Sequence, residues 1–218
     1  MSREKLVCGV DEAGRGPVIG PMVFGAVVLD SEGEQKLKEM GVTDSKMIKR
    51  KIRETLYDEI KKIAIEWRTL SLSAKEITEW MNTASLNDVE AIKTAEMLDE
   101  LNSNPDVFYL DSPDTIPERY GKNIGNLCKK KGEIVAEHKA DMNYISSGAA
   151  SILAKVERDR TIESFKEEYG DIGSGYPSDA VTQAWIDKWF KENRSFPEIV
   201  RKKWSTVTRK AQYKLTEW

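Results

Sequence analysis

The order of predicted strands and helices is the feature that most constrains the fold of this chain. Three strand-like apolar runs come first, and strands then alternate with helices; the strands are expected at residues 6–10, 22–29, 65–72, 107–110 and 133–139. Helices are expected over residues 44–62, 74–81, 86–101, 117–130, 147–169 and 179–191. This order predicts an α/β protein with a mixed five-stranded sheet flanked by helices, and with a small helical appendage at its C-terminal end.

Acidic side chains stand at the ends of three of these strands. Asp11 and Glu12 close the first strand, Asp111 closes the fourth, and Asp141 follows the fifth. Ligands of such sheets collect at the carboxyl ends of strands, near a change in strand order, so adjacent strands would bring the four carboxylates together. One acid at a strand end is often only the start of a loop. The convergence of all four is what would indicate a site.

A converging set of carboxylates would need cations. Two carboxylates ~4 Å apart repel each other by about 4 kcal/mol at an effective dielectric constant of 20. Oxygen ligands without nearby Cys or His favour Mg²⁺ or Mn²⁺, and two such ions could hold a phosphodiester for in-line displacement. The chain has one His and two distant cysteines, Cys8 and Cys128. These residues exclude a Cys/His zinc site and a disulfide framework.

A glycine-containing turn follows the first two acids, with the sequence Asp11-Glu12-Ala13-Gly14-Arg15-Gly16-Pro17. Glycines on both sides of an arginine let backbone N–H groups approach a ligand closely and favour acceptor oxygens. No Gly-Lys-Ser/Thr ends this turn and no helix follows it, so it is not a P-loop. A tight hairpin turn without a ligand is the alternative.

Seven motifs, in order along nearly the whole chain, resemble those of the ribonuclease HII family, the type 2 ribonucleases H, and most of all its archaeal branch. They are the turn sequence above, Thr43-Asp44-Ser45-Lys46, Leu110-Asp111-Ser112, Glu137-His138-Lys139-Ala140-Asp141, Ala149 to Asp159, Gly173 to Asp179, and Ser195-Phe196-Pro197 with Arg201-Lys202. Gly148 departs from the family pattern, which would place a serine ahead of Ala149. Ser147 is the adjacent residue.

The resemblance implies a ribonuclease H-like fold and a metal-dependent endonuclease. Such an enzyme cleaves the RNA strand of RNA/DNA hybrids and single ribonucleotides embedded in duplex DNA, and leaves 3′-hydroxyl and 5′-phosphate ends. Asp11, Glu12, Asp111 and Asp141 would be the catalytic acids and would bind Mg²⁺ or Mn²⁺, with two ions present during catalysis. One ion would activate water and the other would stabilise the leaving 3′ oxygen.

The resemblance also implies a set of substrate contacts. Gly14, Arg15 and Gly16 would read the 2′-hydroxyl, which distinguishes RNA from DNA, and Tyr176 would pack on the sugar 3′ of the cut. Without the resemblance, Tyr176 would be an ordinary surface or core residue. Two lysines would contact backbone phosphates, with a solvated side chain as the alternative for each; they are Lys46 and Lys155.

The charge distribution separates the C-terminal end from the rest of the chain. Residues 185–218 contain nine basic and four acidic residues, a net charge of +5, whereas the whole chain carries −3. We therefore expect a catalytic domain over residues 1–184 and a basic, substrate-binding appendage over residues 185–218. The predicted phosphate contacts of the appendage are Arg201, Lys202 and Lys203. A solvated helical face is the alternative interpretation.

The last seven residues resemble the peptide that docks DNA sliding clamps. Gln212 stands at the first position of that pattern, Leu215 at the fourth and Trp218 at the seventh. Leu215 and Trp218 would be neighbours on a helical turn, a common way to fill an apolar groove. The eighth position of the pattern, usually aromatic, has no counterpart here. The alternative is that these side chains pack back on the domain.

The remaining expectations concern location and rival functions. Charged residues make up 33% of the chain, and no stretch has the ~20 apolar residues of a spanning helix or the pattern of a signal peptide; we expect a cytoplasmic monomer without membrane contact. One rival function is an integrase or junction resolvase of the wider fold. Another is a non-catalytic nucleic-acid-binding protein. Cleavage of a duplex with one embedded ribonucleotide would separate all three.

Overall fold

The computed structural model describes residues 4–42 and 48–213, with the backbone alone for residues 211–213. Its strands are β1 (Val7–Ala13), β2 (Met22–Leu29), β3 (Glu66–Leu72), β4 (Val107–Asp111) and β5 (Glu133–Glu137). Its helices are α1 (Ser31–Glu39), α2 (Arg50–Ile63), α3 (Ala74–Trp80), α4 (Leu86–Asp99), α5 (Pro117–Leu127), α6 (Ala140–Asn143), α7 (Ile145–Tyr169), α8 (Ala180–Asn193) and α9 (Ser205–Tyr213).

The five strands form one mixed sheet in the order β3-β2-β1-β4-β5. β1 is antiparallel to β2 and parallel to β4, which is in turn parallel to β5. The short connection makes β1 and β2 a hairpin, whereas β4 and β5 are reached through helices, as parallel pairing requires. The carboxyl ends of β1, β4 and β5 therefore lie at one edge of the sheet. The mixed five-stranded sheet predicted from the sequence is confirmed.

The first half of α7 packs directly on the backbone of the central strands. A Cβ atom at Gly9 would lie 2.0 Å from the backbone nitrogen of Ser147, and one at Gly25 would lie 2.4 Å from the carbonyl oxygen of Ala150. Side chains at these two strand positions would push the helix away from the sheet. The close approach fixes α7 beside the strand that carries Asp11 and Glu12.

The chain divides into two compact units that alternate along the sequence. The first consists of residues 1–13, 23–70 and 87–156, and the second of residues 14–22, 71–86 and 157–218. Each has its own apolar core: Leu29, Leu37, Ile60 and Leu153 are among the buried residues of the first, and Ile19, Ile162, Ile186 and Val200 of the second. The expected boundary between residues 184 and 185 falls inside α8, so the proposed functional division stays a prediction.

The structure adds elements that the sequence analysis did not anticipate. These are α1, the single turn α6 and the C-terminal α9. Asp30 caps α1 by accepting a hydrogen bond from the backbone nitrogen of Gly33 at 2.7 Å, a start signal readable in the sequence. The predicted caps Asp44 and Ser45 lie outside the described residues, and α2 is described from Arg50 onward. Among the described helices, none combines the length and apolarity needed to cross a membrane.

Candidate active site

Asp11 and Asp111 stand side by side where the pairing of two adjacent parallel strands ends. Val10 of β1 pairs with Leu110 of β4, and each acid is the next residue of its strand. Asp11 is buried, with 5% of its surface exposed, whereas Glu12 and Asp111 are half-buried. The parallel register therefore produces the juxtaposition that the sequence analysis expected for these two acids.

A turn after β5 brings Asp141 to the same place. Lys139 takes a left-handed conformation, with φ of 62°, and α6 begins at the next residue. The backbone nitrogen of Ala140 donates a hydrogen bond to Oδ1 of Asp111 at 2.9 Å. Asp141 follows in the first turn of α6 and is only 2% exposed. The turn thus connects Asp111 to the segment that carries Asp141.

The electrostatics of Asp11 show that the three aspartates interact. Burial raises the pKa of Asp11 to about 7; the charge of Lys155 and a hydrogen bond from Ser151 oppose the shift, and the charges of Asp111 and Asp141 add to it. Desolvation and like charge both disfavour the ionised carboxylate. The folded protein therefore holds a proton on Asp11 more tightly than an exposed carboxylate would.

The donor set of this cluster fits a hard divalent cation in its chemistry. All the acidic groups offer carboxylate oxygens, which Mg²⁺ and Mn²⁺ prefer. A cation would offset the like-charge repulsion, which adds to the effect of burial on the pKa of Asp11. Within residues 4–42 and 48–213, no three Asp, Glu, His or Cys side chains are arranged as a ready-made ligand set. Ligation of one ion by three of the acids would require these side chains to move.

Two residues of α7, the charged Lys155 and the polar Ser151, lie at the cluster. Lys155 donates a hydrogen bond through Nζ to Oγ of Ser151 at 2.7 Å, and Ser151 in turn contacts Asp11. Lys155 was predicted to contact a backbone phosphate, and the structure locates it beside the buried carboxylates. The role of Ser151 was missed by sequence reasoning. The signal was its position four residues before Lys155, on the same helical face.

Ser147 stands beside Gly148, the position where the family pattern has a serine. Its Oγ donates a hydrogen bond to the carbonyl oxygen of Tyr109 at 2.9 Å, two residues before Asp111. The bond ties α7 to β4 near the acids. Gly148 continues the helix, with its backbone nitrogen bonded to the carbonyl oxygen of Tyr144.

The glycine-containing turn and Tyr176 meet in the second compact unit. Gly14 has φ of +86°, and a Cβ there would lie 2.6 Å from Cδ of Arg158 and from the carbonyl oxygen of Pro21. A Cβ at Gly16 would lie 3.6 Å from the ring of Tyr176, which is 42% exposed. Glycine is therefore required at Gly14 by its conformation and crowding, whereas the Gly16 position lies at ordinary contact distance from the Tyr176 ring.

The prediction that Arg201 contacts a phosphate is wrong. Its side chain is fully buried, and its guanidinium group donates to the carbonyl oxygens of Gly14, Arg15 and Gly20. Backbone pairing explains why the Arg201 side chain points inward. Val200 forms an antiparallel β-bridge with Ile19, and the backbone nitrogen of Arg201 donates to the carbonyl oxygen of Val18. The adjacent Lys202 and Lys203 are exposed.

Some predicted site residues lie outside the described part of the chain. They are Lys46, Leu215 and Trp218. Gln212 belongs to α9, and only its backbone is described. The phosphate contact of Lys46 and the clamp-docking peptide therefore stay predictions.

Comparison with solved structures identifies the class of protein. The ribonuclease H2 of Pyrococcus horikoshii OT3 matches with a TM-score of 0.92 and 42% identity, covering 97% of this chain and 100% of that chain. The structure of the PCNA:RNase HII complex from Archaeoglobus fulgidus matches with a TM-score of 0.84 and 40% identity, covering 92% and 95%. Bst-RNase HIII in complex with Mn²⁺ shares the fold at 17% identity, with a TM-score of 0.81 and coverage of 99% and 71%. The fold and the strand-end acids define a ribonuclease H-like endonuclease.

Sequence comparison identifies the family within this class. The family model described as Ribonuclease HII matches residues 8–207. The ribonuclease HII of Thermococcus kodakarensis is 46% identical over 206 residues, which cover 94% of this chain and 90% of the relative. The chain belongs to the ribonuclease HII family. The resemblance, the fold class and the endonuclease class expected from the sequence are confirmed.

Proposed function

We propose that this enzyme hydrolyses the RNA strand of RNA/DNA hybrids and also cuts at single ribonucleotides embedded in duplex DNA, leaving 3′-hydroxyl and 5′-phosphate ends. The observation that carries the proposal is the cluster of Asp11, Asp111 and Asp141, in which burial and like charge raise the pKa of Asp11 to about 7. Such a cluster is suited to bind cations at the edge of the sheet where ligands collect. Membership of the ribonuclease HII family supports the choice of RNA as the strand that is cut.

The residues that would hold divalent ions, Mg²⁺ or Mn²⁺, are Asp11, Glu12, Asp111 and Asp141. Two bound ions would supply a water of lowered pKa and stabilise the charge that develops on the leaving 3′ oxygen. The chain itself orients the acids: Ala140 donates to Asp111, and Ser151 contacts Asp11. Lys155 supplies positive charge beside Asp11. In the proposed role its ammonium group also faces the backbone phosphate at the cut.

Recognition of the ribose would fall to the second compact unit. Gly14, Arg15 and Gly16 would contact the 2′-hydroxyl through the backbone, and Tyr176 would pack on the following sugar. The contact between the Tyr176 ring and the Gly16 position supports this division of roles. The exposure of Tyr176 supports it as well, because a stacking residue must be reachable by the duplex.

The basic C-terminal region would bind the duplex backbone. Exposed Lys202 and Lys203 are its candidates in the described residues, and Lys46 is a further candidate outside them. In this assignment residues 1–184 form the catalytic domain and residues 185–218 the substrate-binding appendage. Phosphate contacts of this kind add affinity without adding sequence preference.

A sliding clamp is the proposed protein partner. The Archaeoglobus fulgidus relative, 40% identical to this chain, was solved as a complex with PCNA, and Gln212, Leu215 and Trp218 would form the docking peptide here. The enzyme would reach the clamp as a monomer. We place it in the cytoplasm, where its nucleic-acid substrates arise and where Cys8 and Cys128 would stay the free thiols of the structure.

A cleavage assay with three matched duplexes tests the proposal. One duplex contains a single ribonucleotide, the second is an RNA/DNA hybrid and the third is all DNA. We expect metal-dependent cleavage of the first two only, and Asp11→Asn should abolish it while hybrid binding persists. Cleavage of the all-DNA duplex would instead indicate a resolvase or integrase, which does not require the 2′-hydroxyl. Retention of more than about a tenth of the activity by Asp11→Asn would contradict the assignment of the acids.

A further inference from the structure

Two side chains near the C-terminal end bond all three carbonyl groups of the Gly14-Arg15-Gly16 turn. Arg201 donates to the carbonyl oxygens of Gly14 and Arg15, at 2.5 and 2.9 Å. Trp204 donates through Nε1 to the carbonyl oxygen of Gly16 at 3.2 Å. The orientation of each peptide group in the turn is therefore set by a residue almost two hundred positions away in the sequence.

The direction of the carbonyl groups determines where the turn presents its N–H groups. In a trans peptide unit the C=O of one residue and the N–H of the next point in opposite directions. The bonds to Arg201 consequently turn the N–H groups of Arg15 and Gly16 to the side of the turn opposite Arg201. The third carbonyl precedes Pro17, which has no N–H group. The turn thus presents two N–H donors, and the hydrogen bonds from Arg201 set the direction of both.

Arg201 is built into this position at a considerable cost in desolvation. It is fully buried, and burial together with the nearby charge of Arg158 lowers its pKa to about 9. A buried charge is tolerated only when it is well hydrogen-bonded, and three carbonyl oxygens around the planar guanidinium group meet that need. An apolar residue would fill the same space without this cost. The charge is therefore better explained by the turn that it organises.

Arg158 connects the turn to Tyr176. Arg158 lies under Gly14, donates to the carbonyl oxygen of Ser174 at 3.1 Å, and has its guanidinium carbon 5.4 Å from the centre of the Tyr176 ring. An open groove of about 390 Å³ borders the turn, lined in part by Arg15, Gly16, Lys203 and Trp204. A sugar–phosphate strand in this groove would meet the turn.

We propose that Arg201 and Trp204 are positioning residues for recognition of the ribose, because they hold the N–H groups of Arg15 and Gly16 in the direction needed to bond a 2′-oxygen. This inference rests on the proposed function of the turn. Neither side chain needs to touch the substrate. Their contribution is the discrimination between ribose and deoxyribose, and not the general affinity for duplex.

The test compares binding of two duplexes that differ by one hydroxyl group. The parent is Asp11→Asn, which should bind without cutting, and the variants in that background are Arg201→Lys and Trp204→Phe. Arg160→Lys is the matched control, because it makes the same chemical change at an exposed arginine of α7. Affinities are measured by fluorescence anisotropy for an all-DNA duplex and for the same duplex with a single ribonucleotide. The same substitutions in the active enzyme give KM and kcat.

Arg201→Lys keeps the charge but cannot donate to the same three carbonyls in one plane. We expect it to reduce the ratio of the two affinities by about tenfold or more, with the affinity for the all-DNA duplex changed by less than about twofold. Trp204→Phe keeps an aromatic side chain but loses the indole N–H that bonds Gly16, and should reduce the ratio by about threefold. The control should keep the parental ratio. In the active enzyme, Arg201→Lys and Trp204→Phe should change KM and kcat/KM for the ribonucleotide duplex.

Three results would overturn the inference. One is a parental affinity ratio in folded Arg201→Lys, and another is an equal loss of affinity for both duplexes, which would give Arg201 a general structural role. If Arg201→Lys does not fold, a parental ratio in folded Trp204→Phe decides against the inference. In each of these cases the wild type still cuts at the ribonucleotide. A wild type that does not cut there would contradict the proposed function itself.

Discussion

Replacing Asp11 by asparagine should stabilise the metal-free protein. The pKa of Asp11 is raised from 3.8 to about 7, and at 1.36 kcal/mol per pH unit this difference corresponds to about 4 kcal/mol. Part of that free energy is lost again in the variant, because an amide must also be buried and because the favourable interaction between Lys155 and the Asp11 carboxylate is lost. We therefore expect the free energy of unfolding in chelator at pH 8 to rise by about 2 kcal/mol.

The gain should depend on pH in a defined direction. The folded protein holds the proton of Asp11 more tightly than the unfolded chain, so wild-type stability falls as the pH rises from about 4 to about 7. The extra stability of Asp11→Asn over wild type should consequently be constant above pH 7. It should decrease as the pH falls from about 7 to about 4, and be absent below pH 4. Urea denaturation in chelator at several pH values measures it.

A matched control and a metal titration complete this experiment. Asp58→Asn removes an exposed carboxylate of α2 and should change stability by less than about 0.5 kcal/mol at every pH. Mg²⁺ should stabilise the wild type more than Asp11→Asn, because a ligand that binds only the folded state adds to its stability. An Asp11→Asn protein that is less stable than wild type in chelator at pH 8 would refute the reasoning.

Three further predictions concern the other acids and the C-terminal end. Asp111→Asn and Asp141→Asn should each raise the melting temperature in chelator, and the gain should shrink with Mg²⁺; two variants that melt at or below wild type would show that the acids do not repel one another. Neutralising Lys202 and Lys203 should weaken binding to every duplex and lower the salt slope by roughly 0.9 per lost contact, whereas an unchanged slope would indicate solvated side chains. Deleting residues 213–218 should preserve cleavage of short duplexes and abolish binding to the clamp, as checked by gel filtration with the clamp; unfolding of the truncated chain, or clamp binding that survives, would contradict the docking peptide.

Much of the sheet could be predicted because its signals are local. The continuous apolar run at residues 22–29 forms β2 over the same residues, and β3 and β4 agree with their predicted ranges within one residue. The same local signals predicted that the four acids lie at or just after the ends of strands. Less regular segments were missed, among them α6, whose single turn begins after a left-handed Lys139. A turn of four residues carries too little periodicity to be recognised.

The amino-acid sequence by itself determined which strands form, that the acids lie near the carboxyl ends of three of them, and which family motifs the chain carries. Only the tertiary structure decided what Arg201, Lys155 and Ser151 do. Arg201 belongs to a run of three basic residues, and nothing local distinguishes it from the exposed Lys202 and Lys203. Its direction depends on pairing between the segments around Ile19 and Val200, which are far apart in the chain. Burial and hydrogen bonding are set by such distant partners, and a sequence pattern reports only near neighbours.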